Sequence, residues 1–151
     1  MKFYIATRLE NHAEHNRIRD ALQANGDTIT YDWTLRGSVK ECSLDRLREV
    51  SLAEAKGVIE ADYMVLLWPG GCGAHVELGI AIGAWVPTIF LTAAEGHYEA
   101  VAATSAFYHH PLVWMVRTEE ELYKLVKEMH VIREHVKKGL GRQWQDSINI
   151  N

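Results

Sequence analysis

Residues 66–79 read LLWPGGCGAHVELG. An apolar run ends here in a glycine-rich turn, and a helix pattern follows that carries a lone carboxylate, Glu77. The free N–H groups at the start of a helix favour anions and negative side chains. A glutamate held there stays ionised, and an ionised carboxylate beside a bound ligand can act as a nucleophile. The stretch therefore makes Glu77 the first candidate for a catalytic residue.

The rest of the chain alternates between strand and helix patterns. Strands are predicted over residues 2–7, 28–33, 61–68, 86–92 and 112–116. Helices are predicted over residues 11–25, 43–60, 73–85 and 118–138, with a short one around 98–103. This alternation indicates a single-domain α/β fold of the flavodoxin-like or Rossmann-like kind, a three-layer sandwich with a five-stranded parallel sheet in the order 2-1-3-4-5. We expect the domain to span residues 1–141 and residues 142–151 to form a polar C-terminal tail.

The helix after the glycine turn contains Gly79 and Gly83. Each glycine costs about 1 kcal/mol against alanine in a helix interior. Small residues let two backbones approach closely, so we expect close packing of this helix on the sheet to offset the cost.

Composition excludes several classes of function. The chain has 151 residues and a formal charge of −4, which is not the basic footprint of a nucleic-acid-binding protein. No apolar run approaches the roughly 18–20 residues that cross a bilayer, and the polar, short N-terminal run is not typical of a signal peptide. Two cysteines do not make a disulfide framework. We expect a cytoplasmic protein whose partners are small molecules, neither nucleic-acid polymers nor membranes.

Ligands of such sheets bind beyond the carboxyl ends of the strands, here between strands 1 and 3. Thr7 and Arg8 follow the first strand, and Gly71 and Gly73 follow the third. The two glycines give a ligand room, or they simply form a tight packing turn. Arg8 is a candidate for binding a phosphate, with a plain surface arginine as the alternative. The turn matches neither the dinucleotide fingerprint nor the Walker A motif, and we predict no cofactor.

Three aromatic or imidazole side chains are further candidates for substrate binding. Trp33 ends the second predicted strand, where it can stack on a base or pack in the core. His109 lies in the loop before strand 5, and His75 lies beside the glycine turn. The histidines lack convergent ligands at metal-binding spacing, so no metal site is predicted. Cys72 lies three residues before His75, which leaves a Cys–His hydrolase open as an alternative.

Acid–base chemistry at Glu77 would need a second carboxylate, and Glu54 lies in the preceding helix. Its alternative role is that of a solvated helix charge. The pattern Glu54-x7-Asp62, an apolar strand and then GAHVELG over residues 73–79 resembles the nucleoside 2-deoxyribosyltransferase-like superfamily. That superfamily also includes nucleoside 5′-monophosphate N-glycosidases. The resemblance covers most of the chain.

The resemblance implies a role for three residues. Glu77 matches the position of the nucleophile that attacks the anomeric carbon of the sugar. Glu54 matches an acidic residue, usually an aspartate, that contacts or protonates the departing base, and Tyr4 matches a tyrosine beside the nucleophile. The acidic residue that transferases carry shortly before the glycine turn is absent, and residues 69–71 read PGG in its place.

We therefore expect an enzyme that cleaves the N-glycosidic bond of a (deoxy)nucleoside through a covalent glycosyl–Glu77 ester and passes the sugar to another base. One alternative is a hydrolase that acts on a nucleoside 5′-monophosphate. Another is a nucleotide-binding protein without catalysis, in which Glu77 only stabilises its helix. The resemblance also implies a homo-oligomer, a dimer or larger, and Trp144 in the polar tail is a candidate for contact with a second subunit.

Overall fold

The computed structural model describes residues 1–36, 42–92, 101 and 104–148, with side chains described up to residue 135. The chain divides into two compact units, Met1–Glu119 and Glu120–Asn151. The first unit contains the sheet and the candidate site. The second contains one long helix and is described by itself.

The first unit is built on five strands. They are β1 (Lys2–Ala6), β2 (Thr28–Ile29), β3 (Tyr63–Leu67), β4 (Thr88–Leu91) and β5 (Val113–Val116). Their order in the sheet is β2-β1-β3-β4-β5, and every neighbouring pair is parallel. All residues of β3 are buried, as expected for a central parallel strand covered on both faces. The predicted fold class and strand order are confirmed.

The helices of this unit whose bounds the described residues give are α1 (His12–Ala24), α2 (Leu44–Ile59) and α3 (Cys72–Gly83). Ser43 caps α2, since its hydroxyl accepts a hydrogen bond from the Arg46 amide at 3.2 Å. Right-handed crossovers in this strand order place α1 on one face of the sheet and α2 and α3 on the other. The core on the α2–α3 side includes Tyr4, Met64 and Phe90, which alternate with side chains on the opposite face of the sheet.

The second strand is shorter than predicted and does not reach Trp33. The chain instead turns into a single 3-10 turn, Trp33–Leu35. The turn begins at Asp32, whose carboxylate accepts the Thr34 amide at 3.0 Å. A local side-chain cap of this kind competes with strand pairing, which explains why β-favouring residue types did not extend the strand. The predicted short helix around 98–103 lies, except for Val101, outside the described residues.

The glycines of α3 do not pack on the sheet, and our expectation for them was wrong. The buried face of the helix consists of Ala74, Glu77, Leu78 and Ala81. A Cβ atom added at Gly79 or at Gly83 would meet nothing within 4 Å. The close approach of α3 to the sheet thus depends on its alanines, and these two glycines face outward.

The second unit is formed by α4 (Glu119–Ile148), which begins at the last residue of the first unit. The predicted end of this helix near residue 138 was wrong, because the helix continues through Gly139 and Gly141. Two glycines cost only about 1 kcal/mol each, which good helix formers around them can outweigh. The side chain of Trp144 lies outside the described side chains. Among the described residues, no helix has both the length and the apolar character needed to span a membrane.

Candidate active site

A cavity of about 340 Å³ opens at the carboxyl ends of β1 and β3. Its size lies within the roughly 300–1,000 Å³ of small-molecule sites. The lining residues come from the loop after β1, the 3-10 turn after β2, helix α2 and the start of α3. They are Thr7, Arg8, Leu9, Glu10, Trp33, Glu54, Gly71, Gly73, Ala74 and Glu77. The cavity lies at the topological switch point that the strand order predicts.

Glu77 lies on the buried face of α3 and is 7% exposed. The Tyr4 hydroxyl, which reaches it from β1, donates a hydrogen bond to Glu77 Oε1. Burial raises the pKa of Glu77, the Tyr4 hydrogen bond lowers it, and the charge of Glu54 raises it, with a net pKa of about 7. Within the described part of the chain, no ion pair involves this carboxylate. Glu77 is therefore a buried carboxylate whose pKa lies near neutral pH. The expectation that the start of the helix keeps it ionised was wrong, because Glu77 lies beyond the first turn of α3 and burial raises its pKa.

Glu54 reaches the same cavity from α2 and is half-buried. Burial raises the pKa of Glu54 above its ordinary value. Burial and the charge of Glu77 also raise the pKa of Tyr4, so its hydroxyl keeps its proton and remains a donor to Glu77. The site thus combines one carboxylate that accepts a hydrogen bond from Tyr4 with a second, half-buried carboxylate whose pKa is also raised.

Trp33 forms an aromatic wall of the cavity. Its indole N–H donates to the Ile5 carbonyl at 3.3 Å, which attaches the ring to the end of β1. On the other side, the His15 ring meets the Trp33 ring edge-on, with 4.8 Å between the ring centroids. Burial lowers the pKa of His15, so this contact involves a neutral imidazole at pH 7. Trp33 is therefore held on two sides by neighbouring elements.

The turn that carries Trp33 is fixed by a second, different carboxylate. Asp32 accepts hydrogen bonds from the Thr34 amide and hydroxyl and forms an ion pair with Arg19 at 2.7 Å. Burial raises the pKa of Asp32, but the hydrogen bonds from Thr34 and Arg19 outweigh burial, and the net pKa lies below the ordinary value. Asp32 is thus an ionised structural group behind the cavity wall.

Of the remaining residues that the sequence suggested for binding, four line the cavity and His109 does not. Thr7 is buried at the end of β1, and its hydroxyl contacts the Pro69 carbonyl at 3.5 Å. Arg8 is exposed at the rim of the cavity, Gly71 lies close to Arg8, and both Gly71 and Gly73 line the cavity. His109 is exposed on the 3-10 turn Ala106–His109 and does not line the cavity.

His75 lies beside the cavity but does not line it. Its Nδ1 is 2.8 Å from the Gly71 carbonyl, and its Nε2 is 2.6 Å from the Tyr108 hydroxyl. A carbonyl only accepts, so Nδ1 donates to Gly71, and Nε2 shares a hydrogen bond with the Tyr108 hydroxyl. Both ring nitrogens are therefore occupied, and neither is available to activate Cys72. This geometry argues against the Cys–His alternative.

Sequence reasoning missed Leu9 and Glu10 as lining residues. Leu9 and Glu10 continue the loop after β1, so the rule that loops at the carboxyl ends of strands form the site would have included them. Among the described residues, no group of three or more His, Cys, Asp or Glu side chains could hold a metal ion.

Comparison with known proteins supports the fold. A conserved protein from Enterococcus faecalis V583 superposes with a TM-score of 0.58 at 21% identity, over 85% of this chain and 98% of that one. The two chains share one fold. A CMP N-glycosidase from Clostridium botulinum is also similar, with a TM-score of 0.49 and 18% identity over 84% of this chain and 98% of that one. No family model matches the chain, and no curated protein is significantly similar in sequence.

Proposed function

We propose that the protein cleaves the N-glycosidic bond of a (deoxy)nucleoside or its 5′-monophosphate through a covalent ester between the sugar and Glu77. The observation that carries the proposal is the pairing of two carboxylates at one cavity, with the buried Glu77 held by the Tyr4 hydroxyl and Glu54 on the facing wall. Retaining glycosidases use two carboxylates, one as nucleophile and one as acid. These two groups have the required surroundings.

The two carboxylates lie in different environments, and burial raises the pKa of both. With a pKa of about 7, a large fraction of Glu77 is ionised at neutral pH, and its neighbour Tyr4 orients it by a hydrogen bond. Glu54, with its raised pKa, retains a proton more readily than an exposed glutamate does. Carboxylates in different environments can thus divide the nucleophile and acid roles between them.

In the first step, the Glu77 carboxylate attacks the anomeric carbon of the sugar. A C–O bond forms, the C–N bond breaks, and the base leaves with the bonding electron pair. The proton of Glu54 compensates the charge that develops on the base. The sugar remains bound to Glu77 as an ester, and the wall formed by Trp33 offers a flat ring on which the base can stack.

In the second step, an acceptor attacks the same carbon and gives its proton to the Glu54 carboxylate. A C–N or C–O bond forms, the ester C–O bond breaks, and Glu77 is released as a carboxylate. With a second base as acceptor the reaction is a transfer of the sugar, which we take as the principal form. With water as acceptor it is a hydrolysis. The guanidinium of Arg8 at the rim favours an anionic substrate, since a 5′-phosphate could pair with it there, and this supports nucleotide hydrolysis as the second candidate.

The test combines intact-protein mass spectrometry with chromatography. The protein is mixed with each 2′-deoxynucleoside or its 5′-monophosphate, with and without a second free base. We expect a mass increase equal to the glycosyl group, release of the base and, with an acceptor base, a new nucleoside. Glu77→Ala should abolish all three. Binding of nucleotide without base release, together with unchanged binding by Glu77→Gln, would instead establish the non-catalytic alternative.

A further inference from the structure

Gly57 lies on the buried face of α2, one helical turn after Glu54. A Cβ atom at this position would lie 2.8 Å from the Tyr31 Cβ and 3.1 Å from both Cδ2 and Cε2 of the Tyr4 ring. The nearest of these atoms is attached directly to the backbone, so it cannot move aside by a side-chain rotation. An alanine at position 57 therefore requires a shift of α2, of the segment that carries Tyr31 or of the Tyr4 ring.

The same position is also where α2 is attached to the sheet. The Gly57 carbonyl accepts a hydrogen bond from the Thr30 hydroxyl at 2.7 Å. The Thr30 amide in turn donates to the Phe3 carbonyl of β1 at 2.8 Å. The helix is thus connected through Thr30 to the strand that carries Tyr4, and the missing side chain at Gly57 lets the two approach.

The contact between Gly57 and Tyr4 links the helix that carries Glu54 to the Tyr4–Glu77 pair. The Tyr4 ring packs against Gly57, and its hydroxyl extends to Glu77 on α3. Glu54 and Gly57 are three residues apart and so lie on the same side of α2. The distance between α2 and the Tyr4 ring consequently determines how far Glu54 stands from the Tyr4–Glu77 pair.

We propose that Gly57 is a positioning residue that sets the spacing between Glu54 and the hydrogen-bonded pair of Tyr4 and Glu77. The inference rests on the proposed function, because it assigns to this spacing the distance between acid and nucleophile. Glycine is an unfavourable residue in the middle of a helix. At Gly57 the tight contacts with Tyr31 and Tyr4 account for it, whereas no described neighbour accounts for Gly79, which gives a matched control.

The experiment compares Gly57→Ala with Gly79→Ala, which adds the same methyl group to the neighbouring helix where nothing lies within 4 Å. Steady-state kinetics separate kcat from KM, and carboxyl ¹³C NMR titrates Glu77 in each protein. For Gly57→Ala we expect kcat to fall at least about tenfold, because small displacements of catalytic groups are costly. We expect KM to change less than kcat does, since Arg8 is not among the close neighbours of position 57, and the pKa of Glu77 to move. Gly79→Ala should retain the wild-type kcat, KM and pKa.

Glu54→Asp tests the same spacing without adding any atom at position 57, and it serves if Gly57→Ala does not fold. It withdraws the carboxylate by one methylene, so kcat should fall and the pKa of Glu77 should move downward as the Glu54 charge recedes. Unchanged kcat and unchanged Glu77 titration in folded Gly57→Ala, or in Glu54→Asp, would overturn the proposal. Because the NMR titration needs no turnover, a shifted Glu77 pKa in a protein without glycosidase activity would support the spacing role while contradicting the proposed function.

Discussion

Glu77 and Asp32 are both poorly exposed carboxylates of the first unit, and the protein treats them in opposite ways. Asp32 is bound by the Arg19 guanidinium and by two groups of Thr34, and its pKa is lowered. Glu77 has the Tyr4 hydroxyl as its partner, lies near a second carboxylate, and has a pKa raised to about 7. We call the Asp32 site complete, because a cation neutralises its charge. We call the Glu77 site incomplete, because no ion pair among the described residues neutralises its charge.

The difference separates a structural carboxylate from a reactive one. A buried charge that is paired and hydrogen-bonded can hold a turn in place, as Asp32 does for the turn that carries Trp33. A buried carboxylate without a cation weakens the folded state, and such groups cluster at sites that perform chemistry. Four predictions use this comparison, in order of decreasing expected effect.

Removal of the Glu77 charge should have the largest effect on activity. We expect Glu77→Gln to lower kcat by at least about 10³-fold, because the amide cannot form the ester. Single-turnover chromatography of base release measures the loss. The control is Glu49→Gln, which removes an exposed carboxylate of α2 and should retain full activity. A Glu77→Gln protein within tenfold of wild type would show that the incomplete site is not the reactive one.

The stability of the fold should depend on pH through Glu77. Its folded pKa of about 7 exceeds the ordinary value of 4.5, so the folded state holds a proton that the unfolded state has released between these two values. The free energy of unfolding should therefore fall by about 3 kcal/mol as the pH rises through that window. Urea unfolding at a series of pH values between about 4 and about 8 measures this fall.

In Glu77→Gln most of this fall should disappear, and a smaller fall in the same direction should remain because the pKa of Glu54 is also raised. Asp32 should not contribute in this window. Its pKa is lowered, so its stabilisation is lost only as the pH falls below its ordinary value of 3.8. Equal slopes in wild type and Glu77→Gln would contradict the assignment.

Breaking the complete site should cost stability. Arg19→Met leaves the Asp32 carboxylate without its cation, and we expect a loss of about 2 kcal/mol in the free energy of unfolding. KM for substrate should rise as the Trp33 turn loosens. Arg48→Met, which breaks the exposed pair with Asp45, is the matched control and should change stability by less than about 0.5 kcal/mol. Similar losses in the two variants would remove the distinction between the sites.

Tyr4→Phe should make the ionised form of Glu77 less stable. The Tyr4 hydrogen bond lowers the pKa of Glu77, so its removal should raise that pKa further. At pH 7 a smaller fraction of Glu77 is then ionised, and kcat should fall about tenfold. The acidic limb of the pH–rate profile should move to higher pH, and part of the activity should return there. A limb that stays in place would mean that Tyr4 acts only by packing.

Much of the fold followed from local pattern. The alternation of strand and helix signals, the all-apolar β3 and the glycine turn were sufficient for the fold class and strand order. The errors occurred where a local interaction outweighed propensity. Asp32 capped a turn where a strand was expected, and α4 continued through two glycines where an end was expected. Residue types alone do not show which of two competing local structures has the lower free energy.

For the candidate site, the sequence by itself placed Glu77 after β3 and Glu54 on the preceding helix, because both positions depend on the order of elements along the chain. Only the tertiary structure decided that Tyr4 donates to Glu77, that His75 is occupied by Gly71 and Tyr108, and that Gly57 meets the Tyr4 ring. These contacts join residues of separate elements. They depend on register, helix rotation and distances of a few tenths of an ångström, which close packing of the whole core determines.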